Sequence, residues 1–250
     1  MTQTLSITQQ LHAGIRFFDF RVQMYQQEVH TVHGLYGRRL NELLLEMVHF
    51  VREHPTEILL VNINHCYSMA PHDVQHCFDM VMQLFTPLLV PCNQHNLDVP
   101  IKALIAQNHR VFVFHDNPYR LKMPRLLWPR KTLSIFWPNA QTPAHARTRI
   151  LQEGLPQLAR QQRKVTVLDL IITPNGWTVA TGLVPFATKL KSTLAVSQAA
   201  KPYLLSLLHS LEFHKFPLNV LLFDFVEEND PFVEYCIMRS LETAFAVVLM

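Results

Sequence analysis

A parallel sheet wound into a β/α barrel is the fold this sequence predicts, and three observations carry the prediction. Short β-type runs alternate along the chain with helical runs long enough to cross back over a sheet. The 250 residues, 49% of them hydrophobic, are enough for one large α/β domain with a full core, taken to span 1–250. Several apolar β-type runs also finish on charged or polar residues, which a barrel collects at the carboxyl ends of its strands.

In chain order, Ser6 to Ala13 is expected to be a short helix that Gly14 ends. Ile15 to Val22 follows as a strand, then a β-type run from Val29 to Val32. Leu40, Leu43, Leu44, Met47, Val48 and Val51 recur at helical spacing, so 39–53 is an amphipathic helix closed by His54-Pro55. Ile58 to Ile63 is a buried strand, Pro71 to Phe85 a helix, Val111 to Phe114 a strand, Ala144 to Gln161 a helix and Val165 to Ile172 a strand. Helices Gln198 to Phe213 and Phe232 to Ala246 flank the strand Val220 to Phe225.

The stretch from Ile15 to Gly34 organises the functional reading. Side chains alternate along a strand, so Ile15, Phe17, Asp19 and Arg21 share one face, which starts apolar and ends charged. Unpaired buried charge is costly, so such groups are useful at the rim of a barrel and a burden inside it. Arg21 is a candidate phosphate contact through its planar fork of donors, or else a salt-bridge partner of Asp19. His33 stands directly before Gly34, where a missing side chain lets a ligand come close. Asn62 and Asn64 share a face near the end of another strand, Asp169 alternates with Val165 and Val167, and Asp224 alternates with Val220 and Leu222.

Four motifs in this order, Gly-Ile-Arg-Phe-Phe-Asp-Phe-Arg, Val-His-Gly-Leu-Tyr-Gly, His-Pro-Thr-Glu-Ile-Leu-Leu-Val-Asn-Ile-Asn-His and Asn-Val-Leu-Leu-Phe-Asp-Phe-Val, resemble the phosphatidylinositol-specific phospholipase C X-domain-containing proteins. The resemblance runs from about Ser6 to the last helix. It implies a barrel of the phosphatidylinositol phosphodiesterase type and a phosphoric diester hydrolase that cleaves the glycerol-phosphate ester of an inositol phospholipid through a cyclic phosphate. His33 becomes the general acid for the leaving alkoxide, and Arg21 the fixed charge on the phosphate. Asp224 becomes the carboxylate that orients the general-base histidine, with ordinary turn capping as its alternative. Asp19 and Asn64 become substrate contacts; Asp169 is a sugar-hydroxyl contact or a satisfied buried carboxylate. Eukaryotic signalling relatives bind calcium with a carboxylate at the Arg21 position, so an arginine there implies a site with no metal and no cofactor. Two departures stand out. Relatives read Asp-Phe-Asn-His where this chain has Asn62, which removes a charge. The family's Gly-Ser-His-Asp segment, whose histidine is the general base, is absent from the sequence, so the chain is expected to lack that base and the first βα unit of the barrel. A catalytically inactive barrel that binds lipid headgroups is the competing reading.

Composition narrows the partners. A formal charge of +3 with 16% charged residues is too mild for a nucleic-acid protein. The four cysteines show neither metal-type spacing nor the density of a disulfide framework, which fits free thiols in a reducing, cytoplasmic setting. No apolar run approaches the ~20 residues of a membrane span. Between Asn117 and Pro138, basic residues are interleaved with Tyr119, Trp128, Phe136 and Trp137. That mixture suits either peripheral contact with a membrane or a long covering loop packed on the barrel.

Overall fold

The structure, a computed structural model, describes residues 3–249 apart from 117, 120, 122–124, 162, 174–192, 211–215, 217 and 243–247. The chain divides into two compact units, residues 7–133 and residues 1–6 with 134–250. Strands in each unit run mostly parallel and are joined through helices, as the alternation of runs predicts.

The first unit holds α1 (Ile7–His12), β1 (Phe17–Tyr25), β2 (Glu28–His33), β3 (Leu35–Arg39), α2 (Leu40–Glu53), β4 (Leu59–Tyr67), α3 (Pro71–Phe85), α4 (Ile101–Ala106), β5 (Val111–His115) and β6 (Trp128–Pro129). Its sheet has the order β3-β2-β1-β4-β5-β6. From β1 to β6 the pairing is parallel. Phe17, Phe18 and Phe20 on β1, Leu59, Val61 and Ile63 on β4, and every residue of β5 are buried, so these strands are covered on both faces. Helix α2 buries Leu40, Leu43, Leu44, Met47, Val48 and Val51, and α3 buries Val74, Cys77, Phe78, Val81 and Phe85. Both sets follow the 3.6-residue period that the sequence displays.

Two helix ends are held by side chains. Pro71 opens α3, and Asp73 accepts a hydrogen bond from the Ala70 amide at 3.0 Å, closing the first turn. At the end of α2, the buried Arg110 guanidinium donates to the carbonyls of Val51 and His54, two of the acceptors a helix leaves unpaired.

An antiparallel ribbon departs from the expected pattern. β1 runs to Tyr25 rather than ending at Val22, and turns back through Gln26 and Gln27, both at positive φ (49° and 64°). That is the two-residue hairpin geometry, and glutamine carries none of the usual sequence signal for it. β2 then pairs with β1 on one side and with β3, which the sequence pattern does not reveal, on the other. Gly37 allows the closeness of β2 and β3, because a Cβ there would lie 2.4 Å from Thr31 Oγ1.

The second unit holds β7 (Leu133–Phe136), α5 (Pro143–Arg149), a π-helical turn at Ile150–Gly154, α6 (Leu155–Ala159), β8 (Val165–Asp169), α7 (Thr193–Leu208), β9 (Val220–Leu222), α8 (Pro231–Glu242) and β10 (Val248–Leu249). The sheet order is β10-β9-β8-β7, with β8, β9 and β10 parallel. Helix α8 begins at buried Asp230, whose carboxylate accepts from the Phe232 and Glu227 amides and pairs with Lys201 at 2.6 Å. The helix expected over Gln198 to Phe213 runs instead from Thr193 to Leu208, and Ala246, the expected end of the last helix, lies outside the described residues.

The strands predicted over Val165 to Ile172 and Val220 to Phe225 are shorter, ending at Asp169 and Leu222. In the basic aromatic segment, Asn117, Arg120, Lys122 and Pro124 lie outside the described residues. Trp128 is buried in β6 with its indole N–H donating to Val90 O at 2.7 Å, Phe136 is buried in β7, and Trp137 is exposed. Two of the expected interfacial rings therefore belong to the core. Among the described residues, no helix is long and apolar enough to cross a membrane.

Candidate functional site

In the first unit, the candidates collect where β1 passes from apolar to charged. Asp19 lies among the buried phenylalanines of β1, and Asn62 and Asn64 on neighbouring β4 reach it. Asn62 Nδ2 donates to Asp19 Oδ1 at 2.5 Å, and Asn64 Nδ2 donates to Asp19 Oδ2 at 3.1 Å. Immediately beyond, the register of β1 on β4 slips: Phe20 faces Ile63, whereas Arg21 faces His65. The extra residue is Asn64. This bulge lets both asparagines reach one carboxylate and re-aims β1 at Arg21, halfway along the strand, which is how bulges serve sites.

Burial dominates Asp19 and raises its pKa above the ordinary carboxylate value, against the lowering effect of Asn64, Asn62, Arg21 and Arg130 in that order. Arg21 is half-buried, and among the described residues no carboxylate lies within 4.0 Å of its guanidinium as an ion-pair partner. The alternative role expected for it, a salt bridge to Asp19, is not formed; amides hold that carboxylate instead.

His33 ends β2 on the exposed side, before Gly34 at φ +73°. The β1–β2 ladder ends at Val22 and Thr31, so Val32 and His33 leave β1 and pair with β3. Surrounding atoms and then the charge of Arg21 lower the His33 pKa. A neutral imidazole near pH 7 follows, beside a guanidinium whose charge acts on both His33 and Asp19.

Asp169 and Asp224 belong to the second unit. Asp169 closes β8, and its Oδ1 accepts from the Ile171 amide at 2.7 Å, a turn-forming bond. Asp224 is half-buried in a bend beyond β9 rather than on the strand, its carbonyl accepting from Ser197 Oγ at 3.1 Å. The next residue, Phe225, has φ 57°, an unusual conformation for a bulky side chain.

Sequence reasoning missed one contributor. Arg130, just past β6, adds positive charge near Asp19, and its only sequence signal was membership of a basic stretch. Asn62 is fully buried, and its Oδ1 has no hydrogen-bond partner among the described residues. His115 closes β5, buried against Phe78 with its pKa lowered by burial. Among the described residues, no group of three or more His, Cys, Asp and Glu side chains is placed to hold a metal ion. What the first unit does offer is fixed positive charge beside a neutral imidazole, an arrangement that can take an anion and move a proton.

No family model matches the chain. PI-PLC X domain-containing protein 3 of Mus musculus is 28% identical over 233 residues, covering 92% of this chain and 70% of that protein. PI-PLC X domain-containing protein 2 of Homo sapiens is 32% identical over 202 residues, covering 79% and 64%. Among solved structures, a phosphatidylinositol-specific phospholipase C from Listeria monocytogenes superposes with a TM-score of 0.68 at 16% identity, over 96% of this chain and 83% of that one. The F249X mutant of the corresponding Staphylococcus aureus protein gives 0.62 at 13%, over 90% and 78%. At those identities the likeness establishes the fold alone, the β/α barrel type expected from the sequence, although the described strands form two sheets, of six and four, and no closed ring.

Proposed function

This chain is homologous to the PI-PLC X domain-containing proteins, and from that premise we propose that it is a phosphoric diester hydrolase acting on inositol phospholipids at a bilayer surface. The observation that carries the proposal is Arg21: a half-buried guanidinium at a bulge in the middle of β1, with no ion-pair partner among the described residues and its charge felt by Asp19 and His33. A cation kept unpaired near the interior is held ready for a ligand anion.

In this reading Arg21 donates to the non-bridging phosphate oxygens and offsets the charge that develops on them as the inositol 2-hydroxyl attacks. Asn62 and Asn64 hold Asp19, which keeps a counter-charge close without closing an ion pair. His33 gives a proton to the departing glycerol alkoxide. Its depressed pKa makes the protonated form scarce near neutrality, and an arriving phosphate raises it by placing negative charge beside the ring.

A second reading, a headgroup-binding barrel without turnover, is supported by the low basicity of His33. Phosphatidylinositol vesicles separate the two. Hydrolysis that falls about 10²-fold or more in Arg21→Ala and 10²- to 10⁴-fold in His33→Ala supports the enzyme. Headgroup-dependent binding without hydrolysis supports the second reading. Wild-type hydrolysis in both variants removes the two residues from the site.

A further inference from the structure

We propose that the β1–β2–β3 ribbon is the surface through which this protein seats on lipid, by apolar contact and not by charge. The inference rests on the proposed phosphate site, which it extends to the lipid that carries the phosphate. All five residues of β3 are exposed, Leu35 at 79% and Tyr36 at 46%. Tyr25, 42% exposed, stacks on Tyr36 with ring centroids 4.6 Å apart, and His30 packs edge-on against both. Large apolar and aromatic groups gathered on an edge strand are an unusual thing to leave in water.

Three features choose the occupant. The ribbon is continuous with the proposed site, since Arg21 lies on β1, which runs on to Tyr25, and His33-Gly34 leads directly into Leu35. A phosphodiester that reaches Arg21 and His33 from a bilayer brings the interface to this edge. Tyrosine is also a residue that settles at the depth of lipid headgroups, with an apolar body and a polar tip. Finally, the cations of β3 are already matched within the chain. Arg38 pairs with Glu46 at 2.6 Å and Glu42 at 3.4 Å, and Arg39 pairs with Glu28 at 2.7 Å. A surface neutralised in this way attracts no polyanion and binds by burial, so its hold on lipid is insensitive to salt.

The test is sedimentation with vesicles of phosphatidylcholine alone and of phosphatidylcholine containing phosphatidylinositol, at 0.1 M and 0.5 M NaCl. Variants are Leu35→Asn, the double change Leu35→Asn with Tyr36→Ser, Arg21→Ala, and Leu45→Asn as an exposed apolar control on α2. The ribbon variants are expected to bind both vesicles about tenfold more weakly, a loss of the size that withdrawing one large apolar side chain produces. Salt is expected to change wild-type binding less than twofold. Arg21→Ala is expected to lose only the preference for phosphatidylinositol, so failure of the phosphate site shows there and nowhere else. Unchanged binding in the ribbon variants, or binding lost at 0.5 M NaCl, overturns the proposal. So does a concentration-dependent dimer that Leu35→Asn dissolves, because it assigns the ribbon to a second copy of the chain.

Discussion

Asp19 is the residue at which stability and binding conflict most openly. Burial raises its pKa, so ionised Asp19 opposes folding at neutral pH. The stability it contributes is present below its unfolded value of 3.8 and is lost as pH rises through the higher folded value. Asp19→Asn is therefore expected to melt at a higher temperature than wild type at pH 7, with the gap closing toward pH 4; thermal scans at the two pH values decide it. Arg110 is the contrasting case, a buried cation whose work is structural. Arg110→Ala removes the guanidinium donor from the Val51 and His54 carbonyls at the end of α2, of which His54 keeps the Glu57 amide, and opens a cavity. It is expected to cost about 3 kcal/mol in urea unfolding. A cost below about 0.5 kcal/mol would show that water replaces the guanidinium freely.

At the scale of elements, two glycines carry close packing that larger side chains would break. A Cβ at Gly154 would sit 2.4 Å from a ring carbon of Phe136, so Gly154→Ala forces the π-helical turn off β7. The expected loss is about 1–3 kcal/mol in chemical denaturation, the usual cost of overpacking, with Gly154→Ser behaving alike. Elements whose own sequence carries the reason for their shape were legible. Helix α3 is predicted and found at Pro71–Phe85, because a proline opens it and apolar residues recur at helical spacing. Strand β3 was not legible, because Leu-Tyr-Gly-Arg-Arg is exposed throughout and alternates nothing. The hairpin before it was hidden by a Gln-Gln turn, and β6 by its length of two residues. Trp128 shows the same limit from the other side: a tryptophan among basic residues reads alike whether its ring meets lipid or, as here, the core.

For the whole molecule, the sequence located the candidate residues better than it described their relations. Asp19 and Arg21 were chosen because charge following apolar residues on one strand face needs a reason, and His33 because it stands directly before Gly34; the structure adds the bulge at Arg21 and the two asparagines on Asp19. A register slip depends on pairing between distant segments, so nothing within Ile15 to Val22 could announce it. The same holds for Arg130, which reaches the Asp19 field from the far side of the sheet. If a single phosphate is held by Arg21 and meets His33, the pH dependence of cleavage has a definite sign: kcat falls as pH rises through the His33 value in the complex, because the acid form is lost.

The central claim, that one phosphate engages both side chains, is tested most directly by NMR titration of the His33 ring with and without inositol 1-phosphate. Without ligand its pKa should lie below 6.5 and should rise in Arg21→Ala, which removes a neighbouring positive charge. Ligand should raise it in the wild type, and a tenfold higher ligand concentration should be needed for the same change in Arg21→Ala. A His33 titration that inositol 1-phosphate leaves unmoved, at concentrations that saturate the protein, would contradict the account.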